Sequence, residues 1–381
     1  MTHKITFYPV GNGDCNLISF SDGASMIVDC NFRQEAEEED SPYFDVWKEL
    51  TSEKLNTKFG LPFVDAFVLT HPDQDHCRGF AEKFFLKDPH KDAPSKSEKD
   101  DKLIVIGELW YSPRVFSEHS RELSDDAKAF KKEAERRMKL WENNDANKNK
   151  DGNRIRIIGY FDDEKIKNLP DSVKAFPGDT VKSLNGSSRK EYRFFIHAPF
   201  KDDIEGNDRN CTSIVFQIKF DVDKTSDVGK VILGGDAEWR VWRKIQEATD
   251  DDTNLKWNIF EAPHHCSYTF FSDSRDNEPE QSALNFLAYR EGNGYIVSSS
   301  KLIKPNTDNP PCQKAKNRYL DAMDDKEDED YFKCTTTKDD EGNEVYNPVV
   351  FEIVADGIKP VVKTKSETKA NRHATTPHYY G

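Results

Sequence analysis

The segment His71-Pro72-Asp73-Gln74-Asp75-His76 places four side chains of metal-ligand type within six positions. It follows Ala66–Thr70 directly, an apolar run that predicts a buried strand. A loop leaving such a strand can aim imidazoles and carboxylates into one small volume. Imidazole nitrogen with hard carboxylate oxygen suits zinc, manganese or iron, and two such sets can hold two ions. A surface loop merely rich in histidine and aspartate is the competing explanation, and the apolar strand before it weakens that. Two further segments share this character. Val231-Ile232-Leu233-Gly234-Gly235-Asp236 ends an apolar run with an aspartate whose two oxygens could bridge two metals. Gly-Gly-Asp is also ordinary turn chemistry, so alone it says little. Ile259-Phe260-Glu261-Ala262-Pro263-His264-His265-Cys266-Ser267 carries paired histidines at a strand end, where one buried, hydrogen-bonded histidine is the structural alternative.

These segments need strands to carry them, and the pattern supplies strands. Ile5–Val10 and Asn16–Phe20 read as a hairpin, and Ser21-Asp22-Gly23 gives turn chemistry before Ser25–Asp29. Further strands are expected at Leu103–Ile106, Ile155–Ile158, Phe194–His197, Ser213–Phe220, Lys230–Leu233, Asn258–Glu261 and Tyr295–Ser299. Helices are expected at Leu123–Asn144, charged and amphipathic with Ser124 as cap, at Ala237–Ala248 and at Gln281–Tyr289. Strands alternating with helices, strands first, predict an α/β or layered α+β domain. Residues 1–357 are expected to form one domain, with charged insertions at about 87–101 and 112–153. The first of these reads as an exposed loop, and 358–381 as a basic, loosely held tail.

The chain has 381 residues, 55 basic and 70 acidic, for a net charge of −15. Such acidity argues against a protein that coats duplex DNA, because phosphate binding is carried by lysine and arginine. It leaves room for an enzyme that meets phosphate through metal ions. No run of 18 apolar residues exists, so no membrane span is expected. Met1–Phe7 enters an alternating strand pattern at once, which predicts no signal peptide. The seven cysteines are scattered and never form Cys-x-x-Cys, so a reduced cytoplasmic protein is expected.

In this order the motifs resemble the metallo-β-lactamase superfamily, most closely its ComEC-like branch. That branch carries a His-x-Asp-x-Asp-His variant of the superfamily's His-x-His-x-Asp-His. Val10-Gly11-Asn12-Gly13-Asp14-Cys15 looks like the branch's Val-Gly-x-Gly-Asp-(Ser/Cys), and Ile27-Val28-Asp29-Cys30-Asn31 looks like its Leu-Ile-Asp-x-Gly. Ile196-His197-Ala198-Pro199 and Asn210-Cys211-Thr212-Ser213-Ile214-Val215 resemble its Leu-His-Pro and Asn-x-x-Ser-(Leu/Ile)-Val. The resemblance spans roughly Ile5 to Ser300 and implies an αββα sandwich with two divalent metal ions.

Carried over position by position, it implies that His71 and Asp73 hold one metal, and Asp75 and His76 the other. Asp236 would bridge them, and His264 would complete the second site. His265 would be the alternative ligand or a proton-handling neighbour, and Asp29 would orient a ligand histidine. Asn210 stands where many superfamily members place a third metal-binding histidine, which leaves the first site rich in oxygen and tilts the choice toward manganese over zinc. Three departures concern the pocket. His-His-Gly-Ser becomes His264-His265-Cys266-Ser267, the Gly-Gly after the first motif becomes Arg78-Gly79, and Gly-His-Pro becomes Asp308-Asn309-Pro310.

The resemblance therefore implies a phosphodiesterase or nuclease acting on nucleic acid or a nucleotide, with Asp75, Asp236 and His265 at the chemistry. Ser267 would stand nearby, and Lys301 could meet a phosphate, although a solvated lysine is the simpler account. Two other readings stay open. One is a catalytically silent metal-binding scaffold in a multi-protein assembly, and the other a hydrolase of a small ester, thioester or lactam. Soluble relatives of the branch occur in settings that suggest anti-phage defence. A nuclease of that kind would need a protein partner to restrain it, and the charged insertions would be docking surfaces.

Overall fold

A computed structural model describes residues 2–116, 122–159, 166–205, 208–305, 309–324 and 330–361. The chain is a mixed α and β protein with two large sheets, one of ten strands and one of seven, in keeping with the expected α+β class. In the first sheet, His3–Phe7 pairs antiparallel with Asn16–Ser19 and with Val349–Val354. Ser25–Val28 then begins a parallel run through Leu61–Val68, Val105–Tyr111 and Arg154–Ile158. The second sheet repeats this plan. Tyr192–Ala198, Val215–Val222 and Thr225–Leu233 are antiparallel, and Trp257–Glu261 and Arg290–Ser298 continue in parallel.

Period-two alternation explains the layering. Ala66 and Val68 point toward the second sheet and join Phe194, Ile196, Phe216, Ile218, Val231 and Leu233 in one core. Phe67 and Leu109 point the other way, onto Phe130, Ala134 and Met138 of the helix Asp125–Glu142. On the far side, Ile232, Phe260 and Ile296 pack against Trp242, Ile245 and Phe286 of two helices, Trp239–Ala248 and Gln281–Leu287. Helices thus cover the outer face of each sheet. The parallel strands of both sheets have their carboxyl ends at Thr70, Gly234, Ala262 and Ser299, and at such ends an α/β protein gathers its ligands.

Several expectations need correction. The 87–101 segment contains a helix, Lys96–Asp100, closed by a capping box between Ser95 and Glu98. Asp88 within it is buried and accepts from Asn153 Nδ2 at 2.9 Å, so the loop is tied to the body. The helix expected at Leu123–Asn144 forms at Asp125–Glu142 with Ser124 as its cap, and it is a structural layer with only one solvated face. Helix Gln313–Met323 and strand Val349–Val354 were not expected. The strand Gly357–Pro360 crosses the boundary expected at 357 and pairs with Val349–Val354. Residues 362–381 of the expected tail lie outside the described residues, as does Asp308. Among the described residues, no helix is long and apolar enough to cross a membrane.

Candidate metal centre

Four imidazoles converge on one carboxylate. Nε2 of His76 and Nε2 of His265 stand 3.0 and 3.4 Å from Asp236 Oδ1. Nε2 of His71 and Nε2 of His264 stand 3.6 and 3.5 Å from Asp236 Oδ2. Each ring presents Nε2 because its Nδ1 side faces another polar group. His71 Nδ1 faces Thr70 Oγ1 at 3.1 Å, and His76 Nδ1 faces Asp29 Oδ2 at 2.7 Å. His264 Nδ1 faces Thr269 Oγ1 at 3.2 Å, and His265 Nδ1 stands 3.4 Å from Asp14 Oδ1. Orientation of a ligand histidine through its second nitrogen is the usual support of a metal site.

Local backbone makes this convergence. Asp29, at φ 57°, ends its strand so that its carboxylate accepts from Thr70 N and Thr70 Oγ1 as well as from His76. Gly235, at φ 48°, has no room for a side chain, since a Cβ there would meet Thr70 Oγ1 at 2.7 Å. His264, His265 and Cys266 all have positive φ, between 50° and 65°. Three successive non-glycine residues there cost roughly 1–2 kcal/mol each. That turn splays the paired rings, 5.9 Å apart at 79°, to opposite oxygens of Asp236.

The electrostatics call for a cation. His71 Nε2, His76 Nε2, Asp236 Oδ1 and both nitrogens of His265 are buried with no hydrogen-bond partner. Burial pulls the His76 and His265 rings toward neutrality, but Asp236 with Asp29 or Asp14 raises both well above the ordinary imidazole range. Burial would raise the Asp236 carboxyl, yet His264, His76, His265 and His71 hold it well below the carboxylate range. Protonated imidazoles therefore supply the positive charge that a metal would replace. Asp14, His76, Asp236 and His265 each offer a ligand atom within 4.8 Å of the others, so this buried cluster could hold a metal ion.

The expected residues fall out as follows. Asp73 and Asp75 line the accessible side, 30% and 37% exposed, with Asp73 Oδ2 at 4.0 Å from His71 Nε2 and Asp75 Oδ2 at 3.5 Å from His265 Nε2. His264 lies with His71, on the opposite side of Asp236 from His76, and His265 takes the place expected of it. The left-handed turn, which sequence spacing does not reveal, causes this exchange. Ser267 is buried and acts at one remove: Thr269 Oγ1 donates to Ser267 Oγ and faces His264. Ser267 Oγ in turn donates to Asn309 Oδ1 at 2.9 Å. Among the described residues, Asn210 makes no hydrogen bond or ion pair with the histidines; its neighbour Arg209 reaches Asp73 Oδ1 at 2.7 Å. Lys301 is exposed at the rim, with its backbone N donating to Asn12 Oδ1. Cys77 and Cys266 are buried, and burial pushes both thiols far above their ordinary range, so they are inert.

Three participants escaped the sequence reading. Asp14 joins the cluster because Gly13, at φ 138°, lets the loop lie against Asp75 and Asn31. Glu261 is buried behind it, raised well above the usual range by burial and Asp14, and held by Asn16 Nδ2 at 2.8 Å. Arg209 is the third. The Gly-x-Gly-Asp spacing was the available signal for Asp14; nothing local marks the other two. No family model matches the chain, and no curated protein matches it.

Proposed function

We propose that this chain is a metal-dependent phosphodiesterase of nuclease type, built as a metallo-β-lactamase αββα sandwich with two divalent ions, manganese or zinc. One observation carries the reading: four Nε2 atoms face the two oxygens of Asp236, and three of them, those of His71, His76 and His265, are buried with no hydrogen-bond partner. His71, His264 and Asp73 would hold one ion with Asp236 Oδ2. His76, His265 and Asp75 would hold the other with Asp236 Oδ1, and Asp14 would orient His265. Ions held there would acidify a water to near neutral pH and offset charge developing on a phosphoryl group. The residues themselves shape the reaction. Asp75, at the open side, stands where it can orient the attacking water, and Arg209 beside Asp73 presents a guanidinium to an approaching phosphate. His265 serves as a ligand in this arrangement, with Nδ1 toward Asp14 and Nε2 toward Asp236. Cytoplasmic nucleic acid or a nucleotide is the substrate class.

The test is elemental analysis of the purified protein, followed by Mn- and Zn-dependent cleavage of single- and double-stranded DNA, RNA and cyclic nucleotides. Asp236→Ala is expected to lose bound metal and to slow cleavage by about a hundredfold or more. Metal content with no turnover on any phosphodiester would overturn the hydrolase in favour of a metal-binding scaffold. Unimpaired cleavage by Asp236→Ala would overturn the site.

A further inference from the structure

A pocket of about 390 Å³ is lined by Gly11 and Asn12, on the loop that leads to Asp14 of the His/Asp centre. Asn12 lines the pocket, and its Nδ2 donates to Pro310 O at 3.0 Å while its Oδ1 accepts from Lys301 N at 3.1 Å. Two residues further on, at most about 7 Å along the backbone, Asp14 stands against His265.

Two features of the pocket are unexplained by folding. The first is Arg33, half-buried, with a buried Nε that has no partner and no acidic group paired with it among the described residues. Its guanidinium lies so close over the loop that a Cβ on Gly11 would meet it at under 3 Å. An uncompensated guanidinium in a partly desolvated wall is costly, and an anion relieves that cost. Lys301 adds a second cation at the rim, whereas Lys304 is already paired with Glu344 at 2.6 Å. The second feature is a pair of half-buried tyrosines, Tyr43 and Tyr346, with ring centroids 4.8 Å apart and planes at 58°. Arg33 lies 5.9 Å from the Tyr43 ring centre. Unpaired cations beside aromatic faces bind single-stranded nucleic acid by charge and stacking. The volume suits one nucleotide, near the lower end of small-ligand pockets at about 300–1,000 Å³.

We infer that this pocket is a nucleotide subsite, in which Arg33 and Lys301 take a backbone phosphate and Tyr43 and Tyr346 stack its base, one step along the strand from the metal centre. The assignment of that strand as substrate rests on the phosphodiesterase reading; the binding itself does not. The measurement is fluorescence anisotropy of the full chain, stripped of metal with EDTA, with a 3′-fluorescein thymidine decamer of phosphorothioate linkages. Arg33→Gln is expected to weaken binding about tenfold and to lower the salt slope by about one phosphate contact. Tyr346→Ala is expected to weaken it by about tenfold as well, within the range for one stacked base. Lys301→Gln, at an exposed position, is expected to lower the slope while leaving thermal unfolding unchanged. An abasic decamer bound as tightly as the thymidine decamer would overturn the subsite, as would no binding at all or wild-type binding by all three variants. Failure of cleavage with these dependences intact would sink the hydrolase and leave the subsite standing.

Discussion

Arg137 and Asp236 are both ionic and both nearly inaccessible, at 1% and 3% exposure, yet their surroundings differ in what is left over. Arg137 Nε donates to Glu133 Oε1 at 2.7 Å, and its terminal nitrogens reach the carbonyls of Arg154 and Ile106 at 2.9 and 3.1 Å. Glu133 is also held by Arg136 through both oxygens. The Arg137 charge is matched by Glu133, the second guanidinium, Arg136, reaches solvent, and the hydrogen bonds close within the network, so this cluster serves to fix the helix Asp125–Glu142 on the first sheet. Around Asp236 the same depth of burial leaves ring nitrogens and a carboxylate oxygen unmatched. A closed network is structure; an open one, built at strand ends, could hold a ligand.

The largest expected effect breaks the closed network. Glu133→Ala strands the Arg137 guanidinium in the interior, and loss of one partner of a buried pair costs about 3–5 kcal/mol. Chemical denaturation should show that loss while metal content, by elemental analysis, stays at the wild-type level. A variant that lost metal as well would mean that the two clusters are coupled.

Next comes the support of the open cluster. Asp29→Asn keeps the shape but removes the charge behind His76 Nδ1, and is expected to weaken metal affinity about 10- to 100-fold. Competition with a chromogenic chelator measures this. Equal affinity in the variant would place His76 outside the ligand set.

The open cluster should also trade protons for metal. His76 and His265 are raised above their ordinary range, so at neutral pH a cation must displace their protons. Apparent affinity should therefore climb with pH until it passes the raised values, by up to about tenfold per unit for each histidine. Calorimetric titration in two buffers of different ionisation enthalpy reads the released protons directly. Uptake without release would mean that those rings are not ligands.

How much of this could be read from sequence follows from the same distinction. His71, Asp73, Asp75, His76, Asp236 and the His264-His265 pair were legible, because ligand-type residues at the ends of apolar runs are a local pattern. The pairing of His264 with His71 was not, since it depends on three positive φ values that no residue type there announces. Glu261 is made important by burial alone, and Asp14 had only its Gly-x-Gly-Asp spacing to mark it. Arg33 reads as an ordinary charge until the fold sets it over Gly11 with no ion pair among the described residues. In the fold, helix Asp125–Glu142 was legible by its cap and period. The edge strands Val349–Val354 and Gly357–Pro360 were not, because half-buried edges carry a weak alternation and receive their partner from the far end of the chain.

His197 sharpens the contrast from a third direction. It is 2% exposed, as deeply buried as His71, His76 and His265, but the charged group that bears on it is Lys219, with no carboxylate paired with it among the described residues. Burial, aided by Lys219, therefore lowers its pKa to about 3. The ring stays neutral in the fold, whereas the unfolded ring titrates near 6.5. The unfolded state thus binds the extra proton, and stability falls as pH drops from 6.5 toward 3. Between pH 6.5 and 5.5 this one group should cost about 1 kcal/mol. Other groups titrate over the same span, so the quantity to measure is the difference between the wild type and His197→Leu across that interval. A difference that does not change with pH would mean that burial without a carboxylate leaves a histidine as chargeable as one beside Asp236. The rule separating closed from open clusters would then fail, because depth alone, and not the leftover charge, would have set the protonation of both.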